Sequence, residues 1–449
     1  MAKTPLANGS AIAAYIAAAS QRALPPEVAD MARLCLADWL GVAIGAADEP
    51  AGRIVREVAA GWHSEGRSTI LFGGAAAAAP FAALANGTLA HCLDFDDTYV
   101  RAITHTSAPV WAATLALGEE IGANEAAMLS AFVTGFETAA RIGSGLGEAV
   151  TARGWHGTGV FGRLGAAAAA AALLRLNAEQ ALHALGAAAT QTSGLVASFG
   201  TMAKPFHAGR AAMDGIVAAQ LASSDFTAAT GLFEPGGGLD TALVQDRTVT
   251  FAPLDLAGWR ILENSFKPYA ACHLTHPSVD AAHALVLSAN ERGAIASVRA
   301  EIGALAQQIT GGKSGVPATP LESKFDLKYC IALGLHGHAV SAADFREPWR
   351  PDPAVCATAG KVESVVSPEM GFASARLTVE FVDGRHQAAD VPVAKGHPGN
   401  PMNWDDMHEK FDALVAPRLG QRGDALFALV REFGRGDVRD EIRAILARL

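Results

Sequence analysis

The chain has 449 residues, of which 50% are hydrophobic and only 18% charged; this predicts a large buried interior, excludes a disordered chain and suggests two domains rather than one. The formal net charge is −10, and no basic run of the kind that tracks a phosphate backbone occurs, which excludes nucleic acid as a partner. The cysteines (Cys35, Cys92, Cys272, Cys330 and Cys356) are odd in number and form no CxxC pair, which excludes a disulfide framework or zinc ribbon and fits a cytoplasmic location.

Residues 1–10 hold one lysine and no apolar core of signal-peptide type. From residue 10 to about 250, alanine-rich blocks with apolar spacing near 3.6 predict helices punctuated by Gly and Pro. Pro25-Pro26-Glu27 opens one of them, with Val28, Met31, Leu34, Cys35 and Trp39 on one side. If a helix over residues 81–97 continues through Asp94, then His91, Asp94 and Thr98 share a face. Ser107-Ala108-Pro109 opens another helix, and Asn177 caps a third. The longest apolar run, residues 164–174 between Arg163 and Arg175, is too short to span a bilayer. The texture changes after about residue 264. Strands are predicted over residues 297–302 and 360–366, and over 375–381, where Ala375, Leu377, Val379 and Phe381 alternate with polar residues. Asp383-Gly384 turns that strand into a partner over residues 385–393. Pro398 and Pro401 mark a boundary, and helical character returns from Trp404. The expected fold is mainly α with a smaller α+β part: a helical domain over residues 1–265 and 399–449, with an α+β lid domain, 266–398, inserted between. A cleft between them is the default site. Low charge also fits a surface covered in an oligomer.

Five segments concentrate chemistry in this charge-poor chain. Residues 91–105 carry His91, Asp94, Asp96, Asp97, Thr98, Arg101 and His105; clustered carboxylates and imidazoles suit acid–base work, although Asp and Thr also cap helices and Asp-x-Asp-Asp can hold a divalent cation. Residues 153–165 contain Gly157-x-Gly159-x-x-Gly162, but no strand precedes it, so a dinucleotide site is rejected. His156 stands at the start of that helix, where open N–H groups suit a carboxylate. Residues 200–212 hold Lys204, the sole lysine between Lys3 and Lys267 and a plausible anion anchor; His207 and Arg210 read as capping and packing. Residues 267–277 bring Lys267, His273 and His276, and residues 323–330 bring Lys324 and Tyr329. His336 and His338 read as structural.

Together these segments resemble the MmgE/PrpD family, which includes 2-methylcitrate dehydratase, cis-aconitate decarboxylase and iminodisuccinate epimerase. The resemblance rests on Leu93-Asp94-Phe95-Asp96-Asp97-Thr98 followed by His105, on Lys204-Pro205-Phe206-His207-Ala208-Gly209, on Lys267-Pro268-Tyr269 with His276, and on Lys324-Phe325 with Tyr329. It implies an all-helical domain with an α+β lid, a homodimer, and chemistry without cofactor or metal on a small anionic di- or tricarboxylate. By position, Asp94, Thr98, His105, His156, Lys204, His276 and Tyr329 match residues lining the family's pocket, with Lys267 beside them. The resemblance implies His105 and His156 as base and acid, Asp94 orienting an imidazole, and Lys204 and His276 holding substrate carboxylates and developing enolate charge. Thr98 and Tyr329 position substrate or relay a proton. A dehydratase or decarboxylase-type lyase is expected; an epimerase of a dicarboxylate is the alternative, and a non-catalytic polycarboxylate binder stands behind both. The spacing from Thr98 to His105 is a residue longer than in the decarboxylases, and residues 270–273 depart from the dehydratase pattern, so the substrate stays open.

Overall fold

The computed structural model describes residues 7–73, 76–236, 238–345 and 349–446; the first six residues of the stretch read for a leader lie outside them. Two compact units are present, Met1–Asn264 with Met407–Leu449, and Ser265–Asp406.

The first unit is built from helices, among them α1 (Pro26–Gly45), α2 (Ala79–Leu89), α3 (Ser107–Glu120), α4 (Glu125–Gly143), α5 (Gly157–Leu173) and α6 (Ala203–Ser223). α1 starts with Pro26 in its first turn, where the missing N–H costs nothing. Asn124 caps α4 by accepting from the Ala127 N–H, and Asn177 forms a reciprocal capping box with Gln180 at the head of the helix Ala178–Ala189. α5 is buried along nearly its whole length and packs on α3, α4 and α6. Its alanines allow this: small side chains let four helices share one wall. Gly209 shows the tolerance. A Cβ there would lie 2.2 Å from the Leu84 carbonyl oxygen, so only glycine lets α6 press onto α2. Large side chains fill the remaining space; Trp111 stacks on Phe132 with ring centroids 4.1 Å apart, a pair worth about 1 kcal/mol beyond its area burial.

The second unit holds a four-stranded sheet, β1 (Ile295–Ile302), β2 (Val362–Val366), β3 (Ala375–Phe381) and β4 (His386–Val391), in the order β2-β1-β3-β4. β1 and β2 run parallel, from Val298 opposite Val362 to Ile302 opposite Val366. β1–β3 and β3–β4 are antiparallel. In β3 the predicted alternation holds: Ala375, Leu377, Val379 and Phe381 are buried. Gly384, at φ +83°, makes the turn into β4. Two helices of this unit, α7 (His276–Ala284) and α8 (Leu327–Leu335), pack together.

Candidate acid–base site

The helix carrying the acidic motif is shorter than its apolar pattern predicts. α2 stops at Leu89, and residues 90–97 continue as turns, held by the His91 N–H on the Thr88 carbonyl and the Asp94 N–H on the His91 carbonyl. His91, Asp94 and Thr98 therefore do not share a helix face. Asp94 stands at φ +54°, a left-handed conformation that costs a non-glycine residue roughly 1–2 kcal/mol. The chain after Leu89 is fixed from a distance. Asp38 of α1 accepts the Asp97 N–H at 2.9 Å, and Lys410 donates to the Phe95 carbonyl at 2.7 Å while pairing with Asp38 at 2.5 Å. Asp97 itself accepts from Ser107 at the head of α3 and from Asn264 at 2.7 Å. Burial, then the neighbouring Asp38, pushes its carboxyl up to about 7.

Those turns gather the titratable groups. Lys204 in the first turn of α6 places its Nζ 2.5 Å from Asp94 Oδ1, and both are buried. His91 Nδ1 lies 2.8 and 2.9 Å from the two oxygens of Asp96. His105 lies between the two carboxylates, with Nδ1 3.3 Å from Asp96 Oδ2 and Nε2 3.7 Å from Asp94 Oδ1. These are ion-pair distances; neither is an aligned hydrogen bond. The His105 N–H is anchored on Thr158 Oγ1 at 3.0 Å, which ties the loop to α5. His156, the residue before α5, faces the same group; its ring centroid lies 5.7 Å from that of His91 and 6.5 Å from that of His105. Thr98 is buried, and its hydroxyl has no hydrogen-bond partner among the described residues.

Burial sets the protonation of this group. It pushes the His91 imidazole down to about 4, with Asp96 acting partly against it. Burial alone would raise Asp96, but the His91 and His105 rings outweigh it and hold that carboxyl well below its usual range. A neutral His91 thus donates Nδ1–H to an ionised Asp96. His156 is pushed well down by burial, then by Lys204 and the neighbouring histidines. The glycines in the first turn of α5 serve close packing: a Cβ on Gly157 would lie 2.3 Å from the Ile103 carbonyl oxygen, and one on Gly159 2.2 Å from that of Ser193.

Of the sequence-derived candidates, Asp94, Thr98, His105, His156 and Lys204 fall in this unit. His91 and Asp96, which the sequence places in the same segment without a role of their own, form the tightest imidazole–carboxylate pair of the group. His207 was assigned to packing, yet its Nδ1 lies 3.0 Å from His156 Nδ1. Lys267, His276 and Tyr329 belong to the second unit. Lys267 and His276 are fully buried there. His276 Nε2–H donates to the Ala271 carbonyl at 3.1 Å, so the neutral ring carries its lone pair on Nδ1. Burial pushes the Tyr329 hydroxyl up to about 12, which keeps it a proton donor. His91, Asp94, Asp96 and His105 have ligand-type atoms all within 4.8 Å of one another, a set that could hold a metal ion. Lys204 already places an ammonium against Asp94 at that point, so a divalent ion there would meet like charge.

A buried lysine–carboxylate pair ringed by imidazoles, on a mainly helical scaffold, is the kind of arrangement found at enzyme active sites. The chain belongs to the MmgE/PrpD family: the family's N-terminal domain matches residues 10–252 and its C-terminal domain residues 269–432. Similar curated proteins include a cis-aconitate decarboxylase-like protein of Aspergillus oryzae, 27% identical over 75% of each chain. The cis-aconitate decarboxylase of Homo sapiens is 26% identical over 76% of this chain and 73% of its own. That of Aspergillus terreus is 25% identical over 87% and 86%.

Proposed function

We propose that this enzyme is a cofactor-independent lyase that releases carbon dioxide from a small unsaturated polycarboxylate of the cis-aconitate type. The observation that carries the reading is Lys204 held against Asp94 within a buried group of imidazoles. The relatives named as cis-aconitate decarboxylases favour decarboxylation over the dehydratase and epimerase chemistries. In this scheme the bond to the departing carboxylate breaks and its electron pair passes into the substrate's conjugated system. Lys204 stabilises the charge that gathers on a remaining carboxylate, because a fixed cation in a dry site costs no reorganisation during the step. His105 and His156 move the proton that quenches the carbanion. Asp94 sets Lys204, Asp96 sets His91 and His105, and Thr98 offers a hydroxyl to substrate. Lys267, His276 and Tyr329 are assigned to substrate binding and proton relay by the family motif they match. Five free cysteines support a cytoplasmic location. An outward apolar row at α6 (Met202, Phe206, Val217 and Leu221) supports a homodimer, which sedimentation would test.

Proton NMR in heavy water tests the reaction, with cis-aconitate, citrate, 2-methylcitrate and iminodisuccinate as candidate substrates. Loss of a carboxylate from cis-aconitate with one deuteron incorporated is the expected result. Conversion of citrate or 2-methylcitrate to an alkene would replace decarboxylase by dehydratase, and deuterium exchange into iminodisuccinate alone would make it an epimerase. Binding without exchange or turnover of any candidate would leave a polycarboxylate binder.

A further inference from the structure

Lys204 and His207 are three residues apart in the first two turns of α6 and so lie on one face of it. Lys204 meets Asp94; His207 meets His156, Nδ1 to Nδ1, at 3.0 Å. Such a contact needs one proton between the two nitrogens, since two N–H groups or two lone pairs would repel. The backbone braces it on both sides. The His156 N–H donates to the Gly194 carbonyl at 3.0 Å, and the Val196 N–H donates to the Gly154 carbonyl at 2.8 Å. Gly194, at φ +112°, leaves room for the rings: a Cβ there would lie 3.2 Å from Cγ and Nδ1 of His207 and 3.5 Å from Cβ of His156. His156 Nε2 is buried and has no hydrogen-bond partner among the described residues.

We propose that His207 is a positioning residue that accepts the Nδ1–H of His156 and thereby keeps His156 Nε2 as the atom that takes up a proton and delivers it to the carbanion. The direction follows from the catalytic cycle. When His156 takes up a proton at Nε2, both of its nitrogens carry hydrogen, and its Nδ1 can then only donate. The arrangement in which His207 accepts survives that step unchanged; the reverse arrangement must break. His207 then carries its own hydrogen on Nε2, and the residue as a whole is half-buried. Burial, followed by the neighbouring His91 and Lys204, holds the His207 ring down at about 4, so it stays neutral and able to accept near neutral pH. No other imidazole or carboxylate is hydrogen-bonded to His156 Nδ1 among the described residues.

The inference rests on His156 being a proton-transfer group, and the test separates the two. In the full-length protein labelled with nitrogen-15 histidine, His156 is expected to show a protonated Nδ1 and a bare Nε2 at pH 7. His207→Asn puts an amide oxygen where Nδ1 stood, so it should keep this tautomer and most of the turnover. His207→Leu should lose it, with kcat falling about 10- to 100-fold, KM little changed, and the alkaline or acidic limb of the kcat profile displaced. A hydrogen on Nε2 of His156 in the wild type overturns the proposal, as does a His207→Leu variant with unchanged tautomer and kcat. Wild-type turnover in His156→Gln would instead sink the assignment of His156, whatever the tautomer shows.

Discussion

Asp94 holds a backbone conformation that few non-glycine residues adopt, and its side chain holds a buried ammonium. Neither arrangement favours stability. A left-handed aspartate is strained, and a desolvated ion pair rarely repays its lost hydration. Both are explained if Lys204 must stand ready for a substrate carboxylate. His105→Ala and Lys204→Ala should therefore each lower kcat/KM at least ~100-fold, the scale of a lost acid–base or charge-stabilising group, while circular dichroism stays that of the wild type. Near-normal rates in either variant would remove it from the mechanism. Activity should also persist after exhaustive chelation; loss that a divalent ion restores would instead make His91, Asp94, Asp96 and His105 ligands. The residue types of this group were legible in the sequence, because a chain so poor in charge concentrates three carboxylates and two imidazoles between His91 and His105. The partners within it were not. His91 and Asp96 are five residues apart, a spacing that pairs in neither a helix nor a strand and becomes a contact only because the chain turns there.

That turn has causes that no local pattern carries. The apolar spacing of α2 runs on past Leu89, and the segment lacks a Gly or Pro to stop it. What stops it is long-range: Asp38 and Lys410 bind the backbone of Asp97 and Phe95 from 59 and 315 residues away. The strands were easier to read, since the alternation in β3 is a property of its own seven residues; the parallel pairing of β1 with β2 is not. The glycines in the first turn of α5 show the same limit. Their spacing suggests a cradle for an anion, but the space beside them is taken by neighbouring backbone. Gly159→Ala should cost about 1–3 kcal/mol in urea denaturation, because the Ser193 carbonyl would have to move. It should also lower turnover, since Ser193 adjoins the Gly194 carbonyl that holds His156. Gly61→Ala is the control. Gly61 ends its helix with nothing within 4 Å of an added Cβ, so stability there should be unchanged or rise by up to about 1 kcal/mol. Equal losses at both positions would refute the packing argument.

The bulk of the chain is apolar and helical, as its composition and periodicity indicate, and this burial gives the molecule a particular response to acid. His91 and His156 are enclosed and held neutral, the first at about 4 and the second well below its usual value, with burial the leading cause in each. In the unfolded chain both return to about 6.5. Above that pH both rings are neutral in either state and contribute nothing to the pH dependence. As pH falls through 6.5, the unfolded chain gains protons that the folded one refuses, so stability is lost until the folded rings titrate in turn. Each such imidazole steepens the fall by up to about 1.4 kcal/mol per pH unit. Carboxylates held low act in the same sense, but only below about pH 4–5, so they do not contribute in the window from 6.5 to 5. Asp97, raised to about 7, acts oppositely: its burial penalises the ionised form, so its contribution is lost as pH rises from about 4 to 7, opposing the histidine slope across that window. The net expectation is an uptake of protons on unfolding between pH 6.5 and 5 in the wild type, their number set by His91, His156 and His207 less the opposing Asp97. Urea midpoints and m-values measured at half-unit steps would give that number directly. Asp97→Asn should raise it by up to about one proton, because the opposing group is gone. A wild-type stability that climbs as pH falls from 6.5 to 5 would mean that the buried imidazoles are charged in the folded protein, and the neutral His91 and His156 on which the proton-transfer scheme depends would have to be abandoned.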